Sequence, residues 1–354
     1  MSGALKQKFF RGLYALAELD GAEFNAQLGA LFASDCQWRV AHPINELVGH
    51  DDAQTKVWGP LKQAMPDLER RDLIFVGGSY EGRDYIAAVG HYVGTFRHNW
   101  LTIPATGHPV YLRYGEVYEI KNGKIVQANL LWDIVDVMRQ AGFWPLAPST
   151  GAELFWSGPI TGDGLVLGDS DPAQGAASIS QTLAMHGTLA EFSDAPDNLS
   201  REALMAMPQR AHWHLKMMWY GPAGIGTTRT LQGFVDYHQL PFRLAFARPQ
   251  GTADEVYAAR LAKGAGHYIR IGDGPYSVTG GWPSVYAVHQ GGSFAGTTGT
   301  GKPVTMRVMD FYLHHEGLIR ENWVPLDMLD LLMQMGFDVF ERMQPIFERG
   351  ARNT

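Results

Sequence analysis

The chain has 354 residues, 45% of them hydrophobic and 18% charged, with 36 acidic residues against 29 Lys and Arg. That balance excludes a disordered chain, which needs more charge and less apolar content, and argues against nucleic acid as a partner, which calls for a concentrated basic patch. No run approaches the roughly 18 consecutive apolar residues of a membrane-spanning helix, and at about 150 residues per domain the length predicts two domains.

Along the chain, Lys6, Lys8 and Arg11 precede no apolar stretch with a cleavage site, so a cytoplasmic protein is expected. Apolar spacing predicts helices over 7–19 and 22–32, a short strand over 36–40, and a helix over 51–65 ahead of Pro66. Cys36 is the only cysteine, which excludes an internal disulfide and a thiolate metal cluster. Strands follow over 73–76, 85–95, 110–121 and 124–131, the last two joined by the hairpin signal Asn122-Gly123. A helix over 133–141 ends at Gly142, a residue suited to a C-terminal cap. The stretch 145–175, rich in Gly, Pro, Ser and Asp, reads as a linker.

The second half then repeats the first. Sliding the chain by 194 residues aligns 105–143 with 299–337 without a gap, and 13 of 39 positions are identical. Ordinary composition gives about two or three. Arg113/Arg307, Asp133/Asp327 and Gly142/Gly336 are among the identities, and Glu116/Asp310 keeps its charge. Upstream, His91, Gly94 and Phe96 match His289, Gly292 and Phe294. These matches predict domains over 1–147 and 174–354, a linker over 148–173, and an insertion around 250–282 in the second copy. The insertion reads equally as a lid or as a tolerated surface loop. The expected fold class is α+β: two tandem conical half-barrels, each a curved antiparallel sheet wrapped around N-terminal helices.

Few residues here carry chemistry by type and pattern. Asp310 stands in the apolar run 304–313, where burial raises a carboxyl toward the range of a general acid or base; its bland reading is an ion pair with Arg307. Residues 307 and 310 are three apart, so a regular strand points them to opposite faces. Asp133 and Asp327 stand where strand gives way to helix, as N-caps do. His289, on a predicted inner strand, and its counterpart His91 read either as core histidines or as pocket groups. Catalytic candidates are thus Asp310, His289, Asp327, Arg307, Glu116 and His91. Trp219, Trp282, Tyr312, Trp323 and His238 are the candidate lining for a planar apolar ligand. No dinucleotide fingerprint, phosphate loop or Gly-x-Ser-x-Gly elbow occurs, and His212/His214 and His314/His315 lack a third ligand at metal-site spacing. Neither cofactor nor metal is expected.

Three segments, Gly107-His-Pro-Val, Tyr118-Glu-Ile-Lys-Asn-Gly-Lys-Ile125 with Trp132-Asp133, and Arg139-Gln-Ala-Gly142, resemble the SnoaL-like polyketide cyclase family. Gly301-Lys-Pro-Val, Tyr312, Gly317-Leu-Ile319, Asp327 and Met333-Gln-Met-Gly336 resemble the same ending. The resemblance implies the conical α+β barrel of the nuclear-transport-factor-two-like group. That group includes cyclases, isomerases, epoxide hydrolases, dehydratases and non-catalytic binders. The family's last-strand acid/base Asp falls on Leu130 and Val324, which transfer no proton, and its pocket His falls on Glu116 and Asp310. The expected function is therefore a cofactor-independent cyclase- or isomerase-type enzyme acting on a polyketide-like or other small hydrophobic carbonyl compound. Its acid/base set is rearranged onto Asp310 and His289. A non-catalytic binding or scaffold protein of the same fold, and a hydrolase with an Asp–His-activated water, are the alternatives. The two copies are expected to pack as an intramolecular pseudo-dimer, with further homo-oligomerisation left open.

Overall fold

A computed structural model of the chain describes residues 1–191, 199–248, 253–291 and 294–351; Gly292, matched above with Gly94, lies outside them. The chain divides into two compact units. Met1–Trp144 and Trp156–Asp171 form the first, with the stretch from Met343; Pro145–Phe155 and Pro172–Arg342 form the second.

In the first unit, α1 (Gly3–Glu18) starts at Ser2, whose hydroxyl accepts from the Leu5 amide, and it buries Phe9, Leu13, Leu16 and Ala17 at helical spacing. There follow α2 (Gly21–Leu31), β1 (Phe32–Val40), β2 (Asn45–Val48), α3 (Gly49–Asp52) and α4 (Gly59–Ala64). A π-helical turn, Ala53–Trp58, lies between α3 and α4. Pro60, just beyond it, has no N–H to give a tighter turn, so the wide turn costs no further hydrogen bond there. Strands β3 (Glu69–Tyr80), β4 (Arg83–Thr95), β5 (Pro109–Lys121) and β6 (Lys124–Trp132) complete a six-stranded sheet in the order β2-β1-β6-β5-β4-β3. Its pairings are antiparallel except β1 with β6, which is parallel. The β5–β6 hairpin turns at Asn122 (φ 52°) and Gly123 (φ 71°), the left-handed pair that a tight two-residue turn requires. Helix α5 (Ile134–Gln140) is capped by Asp133, which accepts from the Asp136 amide.

The first helix of the second unit, α6 (Pro172–Glu191), starts inside the stretch that composition reads as linker. Then come α7 (Arg201–Ala206), β7 (Trp213–Tyr220), β8 (Thr228–Arg229), α8 (Thr230–Phe234), a second π-helical turn at Val235–Gln239, α9 (Leu240–Ala245) and β9 (Phe246–Ala247). The expected insertion supplies α10 (Ala253–Ala262) and β10 (Ile269–Asp273). β11 (Tyr276–His289), β12 (Pro303–His315) and β13 (Leu318–Trp323) follow, in the sheet order β10-β11-β12-β13-β7-β8, with β9 added on β11. Here too one pairing, β13 with β7, is parallel. Two helices, α11 (Met328–Gln334) and α12 (Val339–Ala351), end the described chain.

The segment 148–173 divides between the units. Ala152 bridges Thr227 in the second, and Leu165 bridges Phe75 in the first. Trp156 is fully buried in the first unit, with the Arg113 guanidinium 5.3 Å over its ring. An indole so covered anchors its segment, which composition alone reads as a linker.

Candidate functional site

Strand β12 builds the site by its period of two. Met306, Val308, Asp310 and Tyr312 share one face and line a cavity of ≈ 240 Å³, partly open to solvent. Asn322, Val324 and Leu326 continue the same alternation on the neighbouring segment, and Val285 comes from β11. Aromatic rings close the other side: Trp213 and Trp219 from β7, Phe234 from α8, His238 from the π-helical turn and Phe242 from α9. They form a continuous wall. His238 stacks on Trp219 at 3.9 Å and 18°, and Phe234 lies 5.7 Å from both tryptophans. Met185, His186 and Leu189 of α6 cover the remaining side.

Among the described residues Asp310 is the one carboxylate lining this space, and no Lys or Arg lines it. Burial pushes its carboxyl up to about 6, against the lowering effect of hydrogen bonds from Asn322 and Tyr312. The Asn322 amide lies 3.4 Å from Oδ1. Tyr312 in turn is 2.8 Å from Nε2 of His186. With the tyrosine hydroxyl donating to Asp310, its oxygen accepts from the imidazole N–H, which makes a chain His186–Tyr312–Asp310. Burial, then Arg270, lowers His186 to about 4; burial, then Arg243, lowers His238 to about 3. Both rings are neutral at neutral pH. Nδ1 of His238 and Nε1 of Trp213 are buried without a protein hydrogen-bond partner.

The first unit treats the corresponding positions differently. Glu116, which opposes Ala88 as Asp310 opposes Thr279, is fully buried and ion-paired with Arg70 at 2.5 Å. It also accepts from Tyr92 (3.0 Å), Trp132 (3.0 Å) and Tyr118. The Arg70 guanidinium lies 4.5 Å over the Tyr114 ring and 5.6 Å from that of Tyr92, and it holds Asp72 at 2.8 Å. Tyr114 pairs with Trp132 where Val308 bridges Leu326, and Tyr92 opposes Leu112 where Val285 opposes Met306. Three large rings thus become Val308, Leu326 and Val285, all on the cavity wall. Side chains fill the first interior at the level where the second is open.

The structure brings Asp310, Tyr312, Trp219 and His238 together and places the other candidates elsewhere. His289 does not line the cavity. Asp310 opposes Thr279, while Pro303 at the far end of β12 opposes Val288, so roughly 20 Å of strand separates the two at about 3.3 Å per residue. His289 instead contacts Thr297 and Thr300 and packs near Phe246. Arg307 faces away from Asp310 and bridges Asp327 (3.0 Å) and Asp330 (3.3 Å), with its guanidinium 4.9 Å over Trp282. Asp327 caps α11 by accepting from the Asp330 amide. Trp323, one residue from Asn322, points to the other face and stacks on Tyr220 at 5.1 Å. Glu116 is sealed in its ion pair, and His91 is buried beside Arg113, its pKa lowered to about 3 by burial and that charge. Among the described residues no three His, Cys, Asp or Glu side chains gather as a metal site, and no helix is long and apolar enough to cross a membrane. Asp327→Ala removes a cap and an ion-pair partner, so a loss of about 1–3 kcal/mol in denaturant titration is expected, with ligand affinity at the cavity unchanged.

Sequence reasoning missed His186, Asn322 and Phe234. Asn322 stands opposite Ala128 in the repeat and so left no shared signal. His186 left none either: Lys8 and Gln181 donate to the carbonyls of Gly123 and Gly317, two turns matched in the repeat, and this contact, visible only in the structure, sets His186 against Leu13.

Residues 16–141, within the first unit, match the family model described as SnoaL-like polyketide cyclase. The first unit is a SnoaL-like domain. A search among curated proteins gives no match. Among solved structures, IdmH, a candidate polyketide cyclase from Streptomyces antibioticus, is 19% identical, with 39% of this chain and 98% of that one covered at a TM-score of 0.33. TsrD from Streptomyces laurentii is 15% identical over 40% and 98%, at 0.34. An NTF2-like protein from Burkholderia pseudomallei is 17% identical over 39% and 97%, at 0.31.

Proposed function

We propose that the second unit is a cofactor-independent enzyme of the cyclase or isomerase type, acting on a small hydrophobic, polyketide-like carbonyl compound. The observation that carries this reading is Asp310: a carboxylate raised to about 6, on the wall of an apolar cavity that no cationic side chain lines among the described residues. A base whose pKa lies near the working pH is ionised and still accepts a proton readily. An apolar cavity of about 150 Å³ takes benzene, so this one has room for a one- or two-ring compound.

In this mechanism Asp310 takes the proton from the carbon beside the carbonyl. The developing enolate oxygen accepts hydrogen bonds from the unpartnered Trp213 N–H and from a ring N–H of His238. The enolate carbon then attacks a second carbonyl of the same molecule, closing a ring, and the alkoxide formed takes the proton back from Asp310. For isomerisation the proton returns to a different carbon. Tyr312 and His186 hold the carboxylate in place throughout. The hydrolase reading, with a water activated by an Asp310–His289 pair, lacks support, because His289 ends β11 roughly 20 Å of strand from the Thr279–Asp310 pair.

A panel of aromatic ketones and polyketide esters tests the proposal, with quenching of Trp213 and Trp219 fluorescence reporting occupancy and chromatography reporting turnover. Binding without turnover of any member, under conditions where Asp310→Asn and wild type behave alike, would overturn it in favour of a binding protein. His186→Leu, which installs the residue of the first unit, is expected to slow turnover about threefold to tenfold with affinity retained. That is the worth of one hydrogen bond of about 0.5–1.5 kcal/mol.

A further inference from the structure

The first unit shows, in its own side chains, what a carboxylate at this level of the barrel binds. Glu116 meets a guanidinium, and that guanidinium lies against Tyr114 and Tyr92. The second unit keeps the carboxylate as Asp310 but not the cation. Arg70 reaches Glu116 from the strand beside β4, where it opposes Tyr92. In the second unit the strand beside β11 begins at Ile269, opposite Gly280, so the described ladder sets no arginine opposite Val285. The space left by Arg70, Tyr92, Tyr114 and Trp132 is part of the cavity, because Val285, Val308 and Leu326 line it.

We propose that the cavity of the second unit binds a compound carrying a protonated amine on an apolar body of about one ring, with the ammonium group against Asp310. The ammonium takes the place of the missing guanidinium, and the apolar body lies against Trp213, Trp219 and Phe234. Aromatic faces attract a cation through their quadrupoles. A carboxylate lining a space that no described Lys or Arg lines repels an anion of the same shape. Charge thereby becomes the selecting property of the site. This goes beyond the proton-transfer reading and does not depend on it: an amine here occupies the position beside Asp310 that the acidic C–H of a carbonyl substrate would take, and so competes with that substrate.

Titration calorimetry of the full chain at neutral pH with three compounds of one shape provides the test: 2-phenylethylamine, 2-phenylethanol and phenylacetate. The amine is expected to bind at least tenfold more tightly than the alcohol, with phenylacetate weakest. Asp310→Asn should bring the amine down to the affinity of the alcohol and leave the alcohol within about twofold. Leu326→Trp, which installs the ring found in the first unit, should abolish binding of amine and alcohol alike. Equal affinity for amine and alcohol, no heat with any of the three, or an amine preference that survives in Asp310→Asn overturns the proposal. Binding that survives Leu326→Trp places the ligand elsewhere and overturns it too. Turnover of a ketone with no amine preference leaves the enzyme reading standing while this one falls.

Discussion

Asp310→Asn is expected to lower turnover by about two to four orders of magnitude, the usual worth of a positioned general base. The same substitution should make the protein more stable at neutral pH. The folded carboxyl is raised from 3.8 to about 6. For a raised carboxyl, the favourable contribution is fully present below pH 3.8 and is lost as pH rises through about 6, because the folded state then holds a charge that burial disfavours. Asparagine keeps the shape and carries no charge, so above pH 6 the variant should gain up to about 3 kcal/mol at roughly 1.4 kcal/mol per pKa unit. Below pH 4 the difference should vanish. Paired denaturant titrations at neutral and acid pH, set beside a pH–rate profile of the wild type that rises through about 6, check both halves. Loss of activity with loss of stability would mean that Asp310 holds the fold together and is not a strained functional group.

Glu116→Ala should act in the opposite sense on the first unit. Truncation leaves Arg70 buried with Asp72 as its remaining carboxylate, and it strips the donors of Tyr118 and Trp132 of their acceptor. Removing one partner of a buried ion pair costs about 3–5 kcal/mol, a large part of the 5–15 kcal/mol that holds a typical domain. The denaturant transition reported by Trp58 and Trp132 should move accordingly, and Glu116→Gln, which keeps an acceptor oxygen, should cost less. A change below about 1 kcal/mol in the alanine variant would show that the network contributes no more than an apolar core of the same volume.

The repeat was legible because its matching residues do the same structural work. Arg113 and Arg307 each bridge two aspartates, and Gln140 and Gln334 each accept from a β-strand amide across from the closing helix. Asp310 could be singled out because a carboxylate in an apolar strand is conspicuous. Strand parity told which face a side chain takes but not how far along the strand the cavity extends, so His289 and Trp282 went to the wrong place. The same parity sets Trp323 on the face opposite Asn322, away from the cavity. What stayed hidden was negative: a cavity arises where Val308, Leu326 and Val285 are smaller than their partners. Apolar residues of ordinary size carry no sequence signal until their neighbours are known. The family match falls on the unit in which Tyr92, Tyr114 and Trp132 stand at the positions of Val285, Val308 and Leu326.

His238 owes its place on the cavity wall to a turn that holds one residue more than an α-helix would. The π-helical turn Val235–Gln239 is in effect a single-residue insertion between α8 and α9. Deleting exposed Tyr237 would return the helix to a 3.6-residue period and swing the imidazole by about 100° away from Trp219. Chain length, varied by one codon, would then toggle this group between the ligand and the solvent. Length is a variable that point substitution never samples.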